Sequence, residues 1–190
     1  MTNRIVVLAT GFGLLAWTAS GTPKKKDRDK HATVTGQQAK EYQIKAAFLF
    51  NFTKFVEWRG SPPKGEDLPT ICVSGPAGRV QVVIDTLKPQ KGLSLRRIQQ
   101  LDDPKGCTVL FQTSGDKPVR ESWTELAKAG ILVVTEDPQQ ILKGSILGFF
   151  LTDSKVRIEA NIEAAKASGF HLNSQLLQLA RIIKPDGGKE

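Results

Sequence analysis

The chain has 190 residues, 39% of them hydrophobic, which suits one folded domain with accessory segments and excludes a wholly disordered polymer. Its formal charge of +8 would suit nucleic acid or an anionic membrane surface. The basic residues form no helical stripe and do not interleave with aromatics along a strand, which argues against nucleic acid; many of them crowd into one run, Lys24, Lys25, Lys26, Arg28 and Lys30.

Residues 1–20 read as an export signal. Arg4 supplies the positive start, Ile5 to Trp17 carries no charge, and Ala16 to Gly21 offers small residues for cleavage. The apolar run is shorter than the roughly 20 residues a membrane span needs, so a periplasmic protein is expected, with an uncleaved anchor as the alternative. Residues 21–36 are expected to form a flexible basic linker that could dock near anionic lipid. The domain is expected over 37–185, with 186–190 as a tail.

Thr35 and Gln38 have the spacing of a capping box, which predicts a long helix from Gly36 to Trp58, broken by Pro62 and Pro63. Strands and helices then alternate. "TICVSG" is a predicted strand, Gly78 to Leu87 a helix, "GLSLRRIQ" a weaker strand and "CTVLFQ" a strong one. A helix is predicted over Pro118 to Ala129, a strand at "ILVVTE" and a short helix over Asp137 to Leu142 behind an Asp cap and a Pro at the first position. "SILGFFL" and "KVRIEA" flank Thr152-Asp153-Ser154, which has the composition of a hairpin turn. Asn161 is expected to cap an Ala-rich helix ending at Gly169, and Asn173 to Ile183 is predicted as the last helix. The alternation predicts an α/β fold: a mostly parallel central sheet with helices on both faces and a late antiparallel hairpin.

The stretch Glu41 to Trp58, "EYQIKAAFLFNFTKFVEW", is unusually aromatic. At about 100° per residue, Ile44, Phe55, Phe48, Phe52, Val56 and Leu49 share one wide arc, the expected core face. Thr53, Glu57, Gln43 and Lys54 mark the polar face, and Phe50 falls in its middle, with Trp58 and Asn51 on the border. Phe50 therefore needs either a covering helix, for which the C-terminal helix with Leu176 and Leu179 is the candidate, or a second protein. The border residues Phe50, Lys54 and Trp58 are the expected partner-binding surface.

Cys72 and Cys107 sit in two predicted strands. In an oxidising compartment such a pair favours a disulfide, with two buried thiols as the alternative. Catalysis lacks support. The two histidines are His31 in the linker and His171 before the last helix, and no Cys/His spacing suits a metal. No cofactor is expected. Ser74 to Gly78 follows a strand and opens a helix, an arrangement able to hold an anion, but Pro76 removes one N–H and the full Gly-rich spacing is missing. Arg157, Glu159, His171 and Arg181 form a candidate polar patch for a ligand or partner, against plain surface salt bridging.

"EYQIKAAFLFNFTKFVEW", "ICVSG", "GCTVLF", "ILVVTE", "KVRIEANIEAAKASG" and "LNSQLLQLARII", in that order, resemble the YfiR-like family of periplasmic regulators. The resemblance implies a compact α/β domain that often dimerises, with Cys72 and Cys107 bonded. It implies a regulator that represses an inner-membrane signalling protein, a diguanylate cyclase of the YfiN type or a sensor kinase, by touching its periplasmic part. Release then raises cyclic-di-GMP and promotes biofilm. Some relatives carry a second cysteine pair near the late hairpin; this chain has only the two cysteines, so redox control through that pair does not carry over. A periplasmic small-ligand-binding protein of α/β type is the alternative reading.

Overall fold

The computed structural model describes residues 34–58, 68–99, 102–115 and 122–184. The expected export signal, most of the linker with its basic run, His31, the Pro62-Pro63 break, Pro118 and residues 186–190 lie outside the described residues.

Helix α1 spans Gly36–Phe55, and both halves of the Thr35/Gln38 capping box are formed. The helix stops short of Trp58 because Val56–Glu57 turns into a short strand, β1, that pairs antiparallel with β8, His171–Leu172. The remaining strands are β2 (Thr70–Ser74), β3 (Ser94–Ile98), β4 (Val109–Gln112), β5 (Leu132–Thr135), β6 (Leu147–Thr152), β7 (Lys155–Asn161) and β9 (Ala180–Ile183). They form one sheet in the order β3-β2-β4-β5-β6-β7-β9. Pairing is parallel from β3 through β6, antiparallel between β6 and β7, and parallel again between β7 and β9. The hairpin turn places Asp153 and Ser154 at φ of 50° and 57°, a conformation that short polar side chains tolerate.

The other helices are α2 (Ala77–Leu87), α3 (Trp123–Lys128), α4 (Pro138–Leu142), α5 (Ile162–Ala167) and α6 (Ser174–Leu179). Side-chain caps begin four of them: Ser122, Asp137, Asn161 and Asn173 each accept a backbone N–H. Two expectations are corrected. The helix expected from Pro118 begins at Trp123, behind the Ser122 cap. The last helix ends at Leu179, and Ala180–Ile183 is a strand instead. Ile182 and Ile183 are β-branched and suit a strand, and pairing with β7 satisfies backbone groups that a further helical turn would leave open on the sheet.

The centre of the sheet is buried on both faces. On one face, α1 and α2 cover Ile71, Val73, Val109, Phe111, Val134 and Phe149. Phe149 stacks on Phe52 with centroids 5.8 Å apart and meets Phe111 edge-on at 5.6 Å. On the other face, Leu110, Val133, Trp123 and Leu126 pack around Cys72 and Cys107, which are joined in a disulfide with Cα atoms 5.7 Å apart. The bond ties β2 to the approach of β4.

The core-facing side of α1 is rotated from the expected arc. Its most buried residues are Tyr42, Lys45, Ala46, Leu49 and Phe52, whereas Ile44 is 48% exposed and Phe48 and Phe55 are half-buried. A buried lysine draws the helix round, and the charge on that lysine leads to the site.

Candidate functional site

The strand order determines where a site can form. From β2 the chain crosses to β3 on one side, while β4 lies on the other, so the connections diverge between β2 and β4. In open sheets of this kind the crevice beyond the carboxyl ends of such strands is the usual place for a ligand. In this molecule the crevice is filled by the chain's own side chains.

Gly75 follows β2 at φ +139°, and Thr113 follows β4. A Cβ at position 75 would lie 1.7 Å from the Thr113 hydroxyl oxygen, so only glycine allows this approach. Next to Thr113, the Ser114 N–H donates to the carboxylate of Glu136, which follows β5. The Tyr42 hydroxyl donates to the same carboxylate at 2.6 Å, and the Lys45 ammonium bonds both Glu136 and Glu41. Arg79, from the first turn of α2, donates to the Ser114 carbonyl and, at 2.8 Å, to its hydroxyl; its guanidinium lies 3.9 Å from Glu136.

The side chains of Lys45 and Glu136 are each 4% exposed. Burying such charges costs several kcal/mol per ion unless they are paired and hydrogen-bonded, and here two carboxylates meet two cations. Lys45 also lies 4.6 Å from the Tyr42 ring centroid, so the aromatic face adds to its neutralisation. Burial first, then the charge and hydrogen bond of Glu136, push the Tyr42 hydroxyl well above its ordinary range and hold it as a neutral donor. The cluster fastens the first half of α1 and the start of α2 to the carboxyl edge of the sheet. Its central carboxylate, Glu136, is sequestered, so the cluster acts as a clamp rather than as an acid–base site.

The open surface lies elsewhere on α1. Phe48, Asn51 and Phe55 face Leu176, Leu179 and Ile158 across a cleft of about 250 Å³ between α1, α6 and the sheet. Leu179 is 67% exposed at its rim. The C-terminal helix therefore meets this side of α1 and not the side expected to hold Phe50. Phe50 is half-buried on the side of Ala39 and Gln43, which face α2 across a second cleft with Val82 and Asp85.

Lys54 and Phe50 are brought together, the ammonium 4.1 Å from the ring centroid. Trp58 lies apart from them, half-buried and edge-on to Phe170 at 5.9 Å. Three of the four polar residues share one sheet face. Glu159, on β7, is buried and bonded to Arg181 on β9 at 2.7 Å, with Arg157 two residues before it. His171 belongs to the small sheet, opposite Glu57, and is not part of this patch. The Tyr42–Lys45–Glu136 cluster had no place in the expectations. Its one visible signal was Lys45 itself, a charge within the apolar arc of an amphipathic helix.

Among the described residues no group of three or more Cys, His, Asp or Glu could hold a metal, and no helix is long and apolar enough to cross a membrane. A family described as YfiR/HmsC-like matches residues 42–181. The chain belongs to the YfiR/HmsC-like family. No curated protein matches the chain. In this YfiR/HmsC-like chain the matched span opens at the tyrosine of the clamp and closes at the arginine of β9. Lys45, Arg79, Glu136 and the α1–α6 cleft all fall within it, and Glu41 lies just outside.

Proposed function

We propose that this YfiR/HmsC-like protein is a non-enzymatic periplasmic regulator. It binds the periplasmic part of an inner-membrane signalling protein, a diguanylate cyclase of the YfiN type, and stabilises its inactive conformation, thereby lowering cyclic-di-GMP. Family membership over residues 42–181 is the observation that carries the reading. The mechanism is a population shift: the regulator binds the silent state of its partner better than the active one.

Two features of the surface support it. The α1–α6 cleft presents aromatic and aliphatic walls with the exposed Leu179 at the rim, the kind of concavity that receives an anchoring side chain. Phe50 and Lys54, together on another side of α1, offer a second contact surface, with Trp58 apart from both. The outer edge of β9 pairs with no other described strand, which suits a second copy of the chain, and sedimentation equilibrium tests that dimer. Against the small-ligand reading stands Glu136, whose carboxylate already accepts the Ser114 N–H beside that crevice.

The test is capture of the membrane partner by the mature protein under mild detergent, coupled to a cyclic-di-GMP reporter. Leu179→Asp is expected to abolish capture and raise cyclic-di-GMP while leaving the melting temperature within about 2 °C, since exposed substitutions rarely exceed 0.5 kcal/mol. Full capture by Leu179→Asp moves the contact away from the cleft. Failure to recover any integral-membrane partner defeats the proposal.

A further inference from the structure

The sheet face opposite α1 is open at its β6–β7–β9 end, and its residues form a pattern the regulator reading does not use. The register sets Phe150 opposite Arg157, Thr152 opposite Lys155, and Glu159 between Gly148 and Arg181. Residues opposite one another in a sheet share a face, so all of these point the same way, while Phe149, Ile158 and Ala160 point to the core. Ile141 of α4 packs at the Gly148 end. Beyond it, Lys155 and Arg157 are exposed and hold no ion pair among the described residues. Arg181 is 56% exposed by side chain, yet its position is set from two sides. Glu159 accepts one N–H at 2.7 Å, and the guanidinium lies 3.9 Å from the Phe150 ring centroid. The result is a surface of three cations around one half-buried ring, with a single buried carboxylate below. Asp153, at the turn, is the other acidic residue close by in the hairpin.

We infer that this face docks on the anionic phospholipid headgroups of a bilayer. The chemistry is phosphate recognition: guanidinium groups pair with phosphate oxygens, and Arg181 is already oriented for it. The source is a surface rather than a soluble anion, because the three cations are spread over an open sheet face instead of lining an enclosed seat. A dissolved phosphate there stays hydrated on an open face, whereas a plane of headgroups meets all three cations together. The Phe150 ring, apolar and part-exposed between the cations, suits the headgroup layer. This docking does not depend on a partner protein and holds whether or not a cyclase is bound.

The full chain is floated with vesicles of phosphatidylglycerol and phosphatidylcholine in equal parts, and with phosphatidylcholine alone, at low salt. Binding is expected only to the anionic vesicles. Lys155→Ala and Arg157→Ala are each expected to weaken it about fivefold, and the double variant about 25-fold, the loss of one and two surface cations. Lys128→Ala, an exposed cation on α3, should leave binding unchanged, and added salt should reduce it. Equal binding by the wild type and the double variant overturns the inference, as does an equal loss in Lys128→Ala, which marks diffuse charge attraction. Absence of vesicle binding overturns it too. If inorganic phosphate then stabilises the wild type but not Arg157→Ala, the face takes a soluble anion instead.

Discussion

Replacing Lys45 by methionine removes one charge from the clamp and keeps the aliphatic stem that packs in the core. Glu136 would then stay buried, with the Tyr42 hydroxyl and Ser114 N–H as donors and Arg79, 3.9 Å away and partly exposed, as its remaining cation among the described residues. Glu41 is 19% exposed by side chain and can turn outward; Glu136, at 4%, cannot. Removing one partner of a buried pair costs roughly 3–5 kcal/mol, chiefly because the other charge is left uncompensated. For a chain of this size that is a fall of roughly 6–20 °C in melting temperature. Urea unfolding of the wild type, Lys45→Met, Glu136→Gln and the double variant gives the coupling directly. The double variant is expected to be more stable than Lys45→Met alone, because it no longer buries an unpaired carboxylate. A drop below about 2 °C in Lys45→Met, or strict additivity in the cycle, would refute the clamp.

Tyr42 is the chain's single tyrosine, so tyrosinate absorbance reports it alone. Its folded value lies above the unfolded one near 10, so the stabilisation is complete below about pH 10 and declines as pH rises further, because the unfolded chain releases the proton first. The folded protein should therefore show no tyrosinate until it unfolds, and a native titration midpoint near 10 would contradict this. Gly75→Ala should cost about 2 kcal/mol or more, from the Thr113 contact and the positive φ together; pairing it with Thr113→Ala should recover only part, and an unchanged urea midpoint sinks the argument. The disulfide closes a separation of 35 residues, so replacing both cysteines by alanine should lower stability by about 4 kcal/mol in the chain-entropy model, with a loss under about 1 kcal/mol against it.

Local signals carried most of the fold. Thr35, Asp137, Asn161 and Asn173 announced helix starts through side chains that reach only two or three residues ahead, and each cap is formed. The hairpin turn and the parallel strands were legible for the same reason: composition over a few residues decides them. Most of the misreadings involve distance. Asn173 to Ile183 looks helical throughout, and only the open edge of β7 makes its second half a strand. Ile44 looked like core because periodicity ranks it with Phe48 and Phe52, but the partner that sets the rotation of α1 is Glu136, 91 residues from Lys45. No window along the chain contains both. His171 was grouped with Arg181 by proximity in sequence, whereas strand pairing assigns them to different sheets.

The position of β9 has a consequence for how the molecule is made. Every other described strand precedes it in the chain, and β9 alone shields the outer side of β7 and brings the counter-charge to Glu159. During synthesis the sheet thus remains unfinished until the stretch from Ala180 arrives, with a bare row of amides and carbonyls beside a lone buried carboxylate. A chain cut short before Ala180 would keep its core yet expose a sticky margin able to recruit strands from its neighbours. Cellular quality control would meet such a product as an aggregating species, not merely as a weakened copy of the protein.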